Sequence, residues 1–113
     1  MAVDKSLLSG SIGMMLLKLL EEKDMYGYEM IETLRKRSEN VFEMKAGTLY
    51  PLLHSLEDKQ LLCSYEQDAG GKARKYYSIT KEGRKYLAGK KEEWKVFTGA
   101  VNTVLGGVLY GQA

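Results

Sequence analysis

The period of the apolar residues constrains this chain most. Through about residue 58 they recur at steps of three and four, the spacing of one helical face. Between Leu62 and Ile79 they give way to tyrosine-rich stretches that roughly alternate, as a half-covered strand does. From Lys81 the helical spacing returns. That order predicts a mainly α chain with one small β-hairpin, and the hairpin must lean on the helices because alone it is marginal in water. With 113 residues, 44% of them apolar, the chain fits one globular unit that buries roughly two-thirds of the surface its unfolded form exposes.

Leu8, Ile12, Met15, Leu16, Leu19 and Leu20 predict an amphipathic first helix from about Lys5 to Glu22. Asp24 opens a short connection with Gly27 as its flexible point, and Tyr28, Ile31 and Leu34 mark a second helix. Arg35, Lys36 and Arg37 fall in its last turn, where cations complement the helix dipole. In the third helix Leu49, Leu52, Leu53 and Leu56 form the apolar face, and Tyr50, Pro51, His54 and Asp58 lie opposite. Proline is free of cost only in a first turn, which favours Thr48 as the N-cap; a start one turn earlier would lose a hydrogen bond.

Leu62–Gln67 and Arg74–Ile79 predict two strands around a loop at Asp68–Ala73. Thr80 then caps the last helix. In that helix Leu87, Lys90, Trp94, Phe97, Val101, Val104 and Val108 follow steps of three and four, an a/d seam interrupted by Lys90. A seam of this length at the end of a small chain suits a joint between two chains. Residues 96–113 are too short and too often interrupted to span a membrane, which takes about twenty apolar residues.

Charge divides the chain by region. Residues 1–34 hold three Lys/Arg against six Asp/Glu, residues 35–95 fourteen against nine, and residues 96–113 none. A basic middle is compatible with a polyanionic partner without requiring one. The single histidine and single cysteine, His54 and Cys63, cannot build a Cys/His zinc site, and no cofactor is implied. The lone Cys63 and the lack of a signal-peptide pattern predict a cytoplasmic protein. Catalysis is not supported: Ser55 points about 100° away from His54 round the same helix, and Gly70-Gly71-Lys72 lacks the spacing of a phosphate loop.

Three helices followed by a hairpin make a winged helix-turn-helix, here residues 1–80, with residues 81–113 as a C-terminal dimerisation helix and tail. In that fold the third helix enters the major groove of duplex DNA and the hairpin touches the backbone beside it. The DNA-contact candidates are Lys45, Thr48, Tyr50, Pro51, His54 and Ser55 on or before the third helix, with Lys72, Arg74 and Lys75 on the hairpin. Each has a plain structural reading too. Tyr50 can cover a neighbouring helix, the hairpin cations can simply block edge pairing, and one of Tyr76 and Tyr77 must face the core.

The stretches Tyr26-Gly27-Tyr28-Glu29-Met30, Gly47-Thr48-Leu49-Tyr50-Pro51-Leu52-Leu53 and Gly71-Lys72-Ala73-Arg74-Lys75-Tyr76-Tyr77 running into Thr80-Lys81-Glu82-Gly83 closely resemble the PadR family of transcriptional regulators. The resemblance covers about residues 7–105. It implies a homodimeric winged-helix repressor that binds an inverted-repeat operator and leaves it on sensing a small molecule. It also implies that Tyr50 is the recognition-helix tyrosine, and that Lys72 and Arg74 belong to the basic wing.

The chain is most similar to the short members with a single C-terminal helix, a subgroup that includes a lactococcal multidrug-binding repressor. Some of these hold flat aromatic drugs between paired tryptophans at the dimer centre, and Trp94 lies in the matching position with Phe97 one turn on. The plain alternative is that Trp94 only anchors the dimer. Lys90 and Lys91 near the seam would favour anionic ligands if they face it. Leu8 and Ile12 of the first helix, with Leu87, Trp94, Phe97, Val101 and Val104, are the expected dimer residues. Rival readings keep the fold but not the DNA: a drug-binding sequestrant, or an adaptor whose hairpin meets a partner protein.

Overall fold

A computed structural model describes residues 3–106. The elements run α1 (Lys5–Ser9), α2 (Ile12–Glu22), β1 (Met25–Tyr26), α3 (Gly27–Arg37), α4 (Ala46–Asp58), β2 (Leu62–Ala69), β3 (Lys72–Ile79) and α5 (Lys81–Val104). The mainly helical class and the winged architecture are as expected from the periods, with one strand more.

The first helix is broken in two. Asp4 caps α1 by accepting from the Ser6 amide at 2.9 Å, and the helix stops where Ser11 turns its hydroxyl back to the Leu8 carbonyl at 3.2 Å. Polar side chains that bond backward compete with helix continuation, so Gly10-Ser11 ends the run that apolar spacing alone would carry through. Ile12 then opens α2 facing inward.

The third helix begins earlier than Thr48 would place it. Lys45 is the N-cap, and its carbonyl accepts from Thr48 and Leu49 at 2.9 Å each. Pro51 therefore sits inside the helix and leaves the Gly47 carbonyl without its helical donor. The reward is burial: from this start Leu49, Leu53 and Leu56 all face the core.

The strands are longer and the turn tighter than expected. β2 and β3 pair antiparallel from Leu62↔Ile79 to Ala69↔Lys72, so only Gly70 and Gly71 form the turn. Their φ angles are +62° and +86°, the left-handed pair that a two-residue hairpin needs to match strand twist. β1, two residues long, adds a third strand on the other side of β3 through Met25↔Tyr77 and Tyr26↔Tyr76.

One core joins these parts. Leu16, Leu17 and Leu20 of α2 pack with Met30 and Leu34 of α3, Leu49 and Leu53 of α4, and Leu62, Tyr77 and Ile79 from the sheet. The boundary placed after residue 80 falls at the start of α5, yet the core crosses it. Thr80 caps α5 by accepting from the Gly83 amide at 2.9 Å and donates to the Gln60 carbonyl at 2.7 Å. Gly83 lies against the Leu61 carbonyl, so close that a side chain there would collide with backbone.

Two of the expected dimer residues also sit in this core: Leu87 is 1% exposed and Ile12 4% exposed, each largely covered by its own chain. Heptad spacing does not distinguish an intramolecular contact from an intermolecular one, and the first turns of α5 pack on α2. Leu8 is half-buried, and Trp94, Phe97, Val101 and Val104 remain exposed. Val108 lies outside the described residues, as do Gly107 and the rest of the tail. Among the described residues no helix is long and apolar enough to cross a membrane.

Candidate nucleic-acid interface

Burial of one side of α4 decides what the other side offers. With Leu49, Leu53 and Leu56 turned inward, Lys45, Thr48, Tyr50, Pro51, His54 and Ser55 are all exposed. The hairpin presents Lys72, Arg74 and Lys75, also exposed. Strand register separates these three: Arg74 shares the outer face with Tyr76, Tyr65 and Tyr26, while Lys75 shares the face of Tyr77 and stands 5.7 Å from its ring.

The two sets converge at a cleft of about 610 Å³. Tyr50 of α4, Arg74 and Lys75 of β3, and Tyr28, Thr33 and Lys36 of α3 line it. Glu29 and Glu32 line it too, but Lys23 pairs with Glu29 at 2.7 Å and Arg35 with Glu32 at 2.8 Å, which neutralises both. Lys45, Thr48, Pro51, His54, Ser55 and Lys72 are exposed outside this cleft. In the basic turn at the end of α3 the three cations differ. Arg35 is held by Glu32 and Asn40, Arg37 forms a two-pronged pair with Glu22, and Lys36 reaches the cleft.

Tyr50 covers a neighbouring helix while keeping an exposed edge. It is 41% exposed, yet its phenol end lies on Gly27 at the start of α3. A Cβ built at Gly27 would fall on the Tyr50 hydroxyl and 2.7 Å from ring Cζ.

A row of tyrosines supports the root of the wing. Tyr65 stacks on Tyr76 with ring centres 5.8 Å apart, and Tyr76 meets Tyr26 edge-on at 5.5 Å. The Arg74 guanidinium sits 4.4 Å from the centre of the Tyr26 ring, within the range of a cation–π contact. Tyr65 donates a 2.6 Å hydrogen bond to Asp24 Oδ2, and that bond pushes its phenol up to about 12. Of the two adjacent wing tyrosines, Tyr77 is the core residue, and burial raises its phenol as well. Reasoning from the sequence missed Asp24, Tyr26 and Tyr65 as parts of this arrangement, because a two-residue strand is too short to show a period.

Past Leu87 the large apolar side chains of α5 are exposed. Trp94 (43% exposed), Phe97 (59%) and Val101 (37%) form an apolar stripe with Val104 beyond them. A second cleft, of about 860 Å³, lies where Trp94 and Phe97 face Leu7, Leu8, Met14, Met15 and Phe42. Trp94 and Phe97 pack on each other at 5.8 Å. Lys90 lines this cleft but is paired with Glu93 at 3.2 Å, and Lys91 turns toward Glu21 of α2 at 3.8 Å. The local charge is therefore close to balanced, and nothing here selects an anion.

Comparison with known proteins agrees with this anatomy. The profile of the transcriptional regulator PadR-like family matches residues 16–89. A protein of Lysinibacillus sphaericus is 39% identical over 94 residues, covering 81% of this chain and 85% of its own length. A transcriptional regulator from Clostridium thermocellum superposes with a TM-score of 0.82 at 35% identity, over 87% of this chain and 96% of its own. A PadR family transcriptional regulator from Eggerthella lenta gives 0.79 at 35% identity, over 88% and 86%.

Proposed function

The chain belongs to the PadR-like family of transcriptional regulators, and from that premise we propose that it is a dimeric repressor which reads an inverted-repeat operator and is released by a small molecule. The observation that carries the DNA half is the convergence of Tyr50, Arg74 and Lys75 on one cleft with Lys36. A helix that enters the major groove and a hairpin that grips the neighbouring backbone must act on the same stretch of duplex. Tyr50, with Thr48, His54 and Ser55 along the exposed side of α4, faces base edges and sugars. Lys45, Lys72, Arg74 and Lys75 meet phosphates.

The dimer half rests on the exposed stripe Trp94, Phe97, Val101 and Val104. Two copies of that stripe, packed about a two-fold axis with α1 and its Leu8 against the partner, cover surface that a lone chain leaves in water. The pairing would set two copies of α4 in successive major grooves, roughly 34 Å apart. A planar aromatic effector fits between Trp94 and its symmetry mate, with Phe97 alongside. It weakens operator binding only if it prefers a dimer whose two α4 helices have a different spacing.

The test is fluorescence anisotropy with labelled duplex from the gene's own upstream region, against scrambled duplex, across a salt series. Tighter binding to the native duplex with a steep salt slope supports specific regulation, each neutralised phosphate adding about 0.9 to the log–log slope. Trp94 quenching by planar aromatics without any duplex binding would favour a ligand-sequestering protein instead.

A further inference from the structure

This inference depends on the 610 Å³ cleft being a DNA surface. We infer that Tyr26 and Gly27 are positioning residues that set the spacing between the recognition helix and the wing, Gly27 by seating Tyr50 and Tyr26 by holding Arg74. The two residues are consecutive, yet they belong to different elements. Tyr26 is fixed to the wing strand by its pairing with Tyr76, and Gly27 opens α3 immediately after it. No slack separates the contact to the wing from the contact to α4.

The glycine is not required by the backbone. Gly27 lies outside the left-handed region, unlike Gly70 and Gly71. It also occupies the first turn of a helix, where alanine has the better propensity. What glycine supplies is room, because any Cβ there would take the place of the Tyr50 phenol. The obstructing atoms belong to the end of a side chain, so alanine would push Tyr50 aside and leave the fold intact.

Arg74 depends on Tyr26 for a different reason. Among the described residues no carboxylate lies within ion-pair distance of Arg74, and the Tyr26 ring 4.4 Å below the guanidinium is the contact that orders it. An arginine held in place before binding loses less side-chain freedom when it meets a phosphate.

The experiment uses a duplex that the wild-type protein itself selects from a random library, with affinities by anisotropy and folding by thermal melting. Gly27→Ala is expected to melt like wild type and to bind about tenfold more weakly, the cost of one lost base-reading contact. In a Tyr50→Ala background the same change should cost nothing more, because the residue it acts through is gone. Tyr26→Leu should lose about threefold, as an exposed cation–π contact implies. Tyr26→Phe should lose nothing, and neither change should matter once Arg74 is alanine.

Undiminished affinity in Gly27→Ala overturns the inference, and so does an equal loss with and without Tyr50. If Gly27→Ala does not fold, the double variant Gly27→Ala/Tyr50→Ala must fold and bind like Tyr50→Ala; its failure to do so refutes the seat. A library from which the wild-type protein selects no duplex removes the DNA reading itself, and this inference with it.

Discussion

The two ends of α5 obey the same spacing and live in different surroundings. Gly83 and Leu87 are locked against the Leu61 backbone and α2, closed off by their own chain. Two heptads beyond Leu87, Val101 is 37% exposed, and Val96, Phe97, Val104 and Leu105 are more exposed still. A helix of 24 residues extends about 36 Å at 1.5 Å per residue, further than the core of so small a domain can follow it. An apolar seam therefore acts within the chain while it overlies the core and becomes available to a second chain where it projects past it.

One substitution placed at both ends would break or sharpen that contrast. Leu87→Asp puts a carboxylate among leucines with no partner, which costs several kcal/mol and rivals the whole stability of a domain this size, about 5–15 kcal/mol. It should leave the chain unfolded at room temperature, visible as lost helical circular dichroism. Val101→Asp should spare the secondary structure of each chain but split the proposed dimer, because two carboxylates would then face each other across the proposed seam. Light scattering would show a monomer mass. A folded Leu87→Asp chain, or a Val101→Asp chain that stays dimeric, would contradict the division drawn here.

How much of this was legible in the sequence follows the same division. Burial has a period, so the core faces of α2 and α4 could be read from Leu16, Leu20 and Leu53, and β3 as an alternating strand, but not which of Tyr76 and Tyr77 turns inward. Local competition has no period. The break at Gly10-Ser11 depends on a hydroxyl bonding backward, and the early start of α4 depends on core packing outweighing the hydrogen bond lost at Pro51. Within the candidate DNA surface, the exposed residues of α4 and the wing cations were legible as types. Their convergence was not, because it is made by Tyr26 and Gly27, which carry neither charge nor periodicity. The Trp94 seam was legible in outline, but spacing alone had no means of separating Leu87 from Val101.

A smaller effect is expected at the opposite surface. Arg74→Ala should weaken binding to the operator by about tenfold and lower the log–log salt slope by about 0.9, since one phosphate contact disappears. The mass in solution should stay that of wild type, because Arg74 lines the cleft of Tyr50 and not the cleft of Trp94 and Phe97. A loss of dimer in this variant would mean that the wing and the seam are one surface rather than two.

The smallest effect tests the root of the wing without any DNA. Tyr65 is held neutral by donating to the Asp24 carboxylate, and its phenol ionises near 12 instead of its usual 10. Its folded-state value lies above the unfolded one, so this stabilisation is complete below about pH 10 and is lost as pH rises toward 12, where phenolate and carboxylate would repel. Alkaline titration of tyrosinate absorbance should therefore show late phenols at Tyr65 and at the buried Tyr77, of which Asp24→Ala brings only that of Tyr65 back toward the ordinary range. The side chain is exposed, so the gain in global stability is slight, and the informative quantity is the titration itself. If Tyr65 titrates normally in the wild-type protein, the wing root is not tied to Asp24 in solution. The Tyr76–Tyr26 contact and the main-chain pairing of β1 with β3 would then carry the wing's orientation alone.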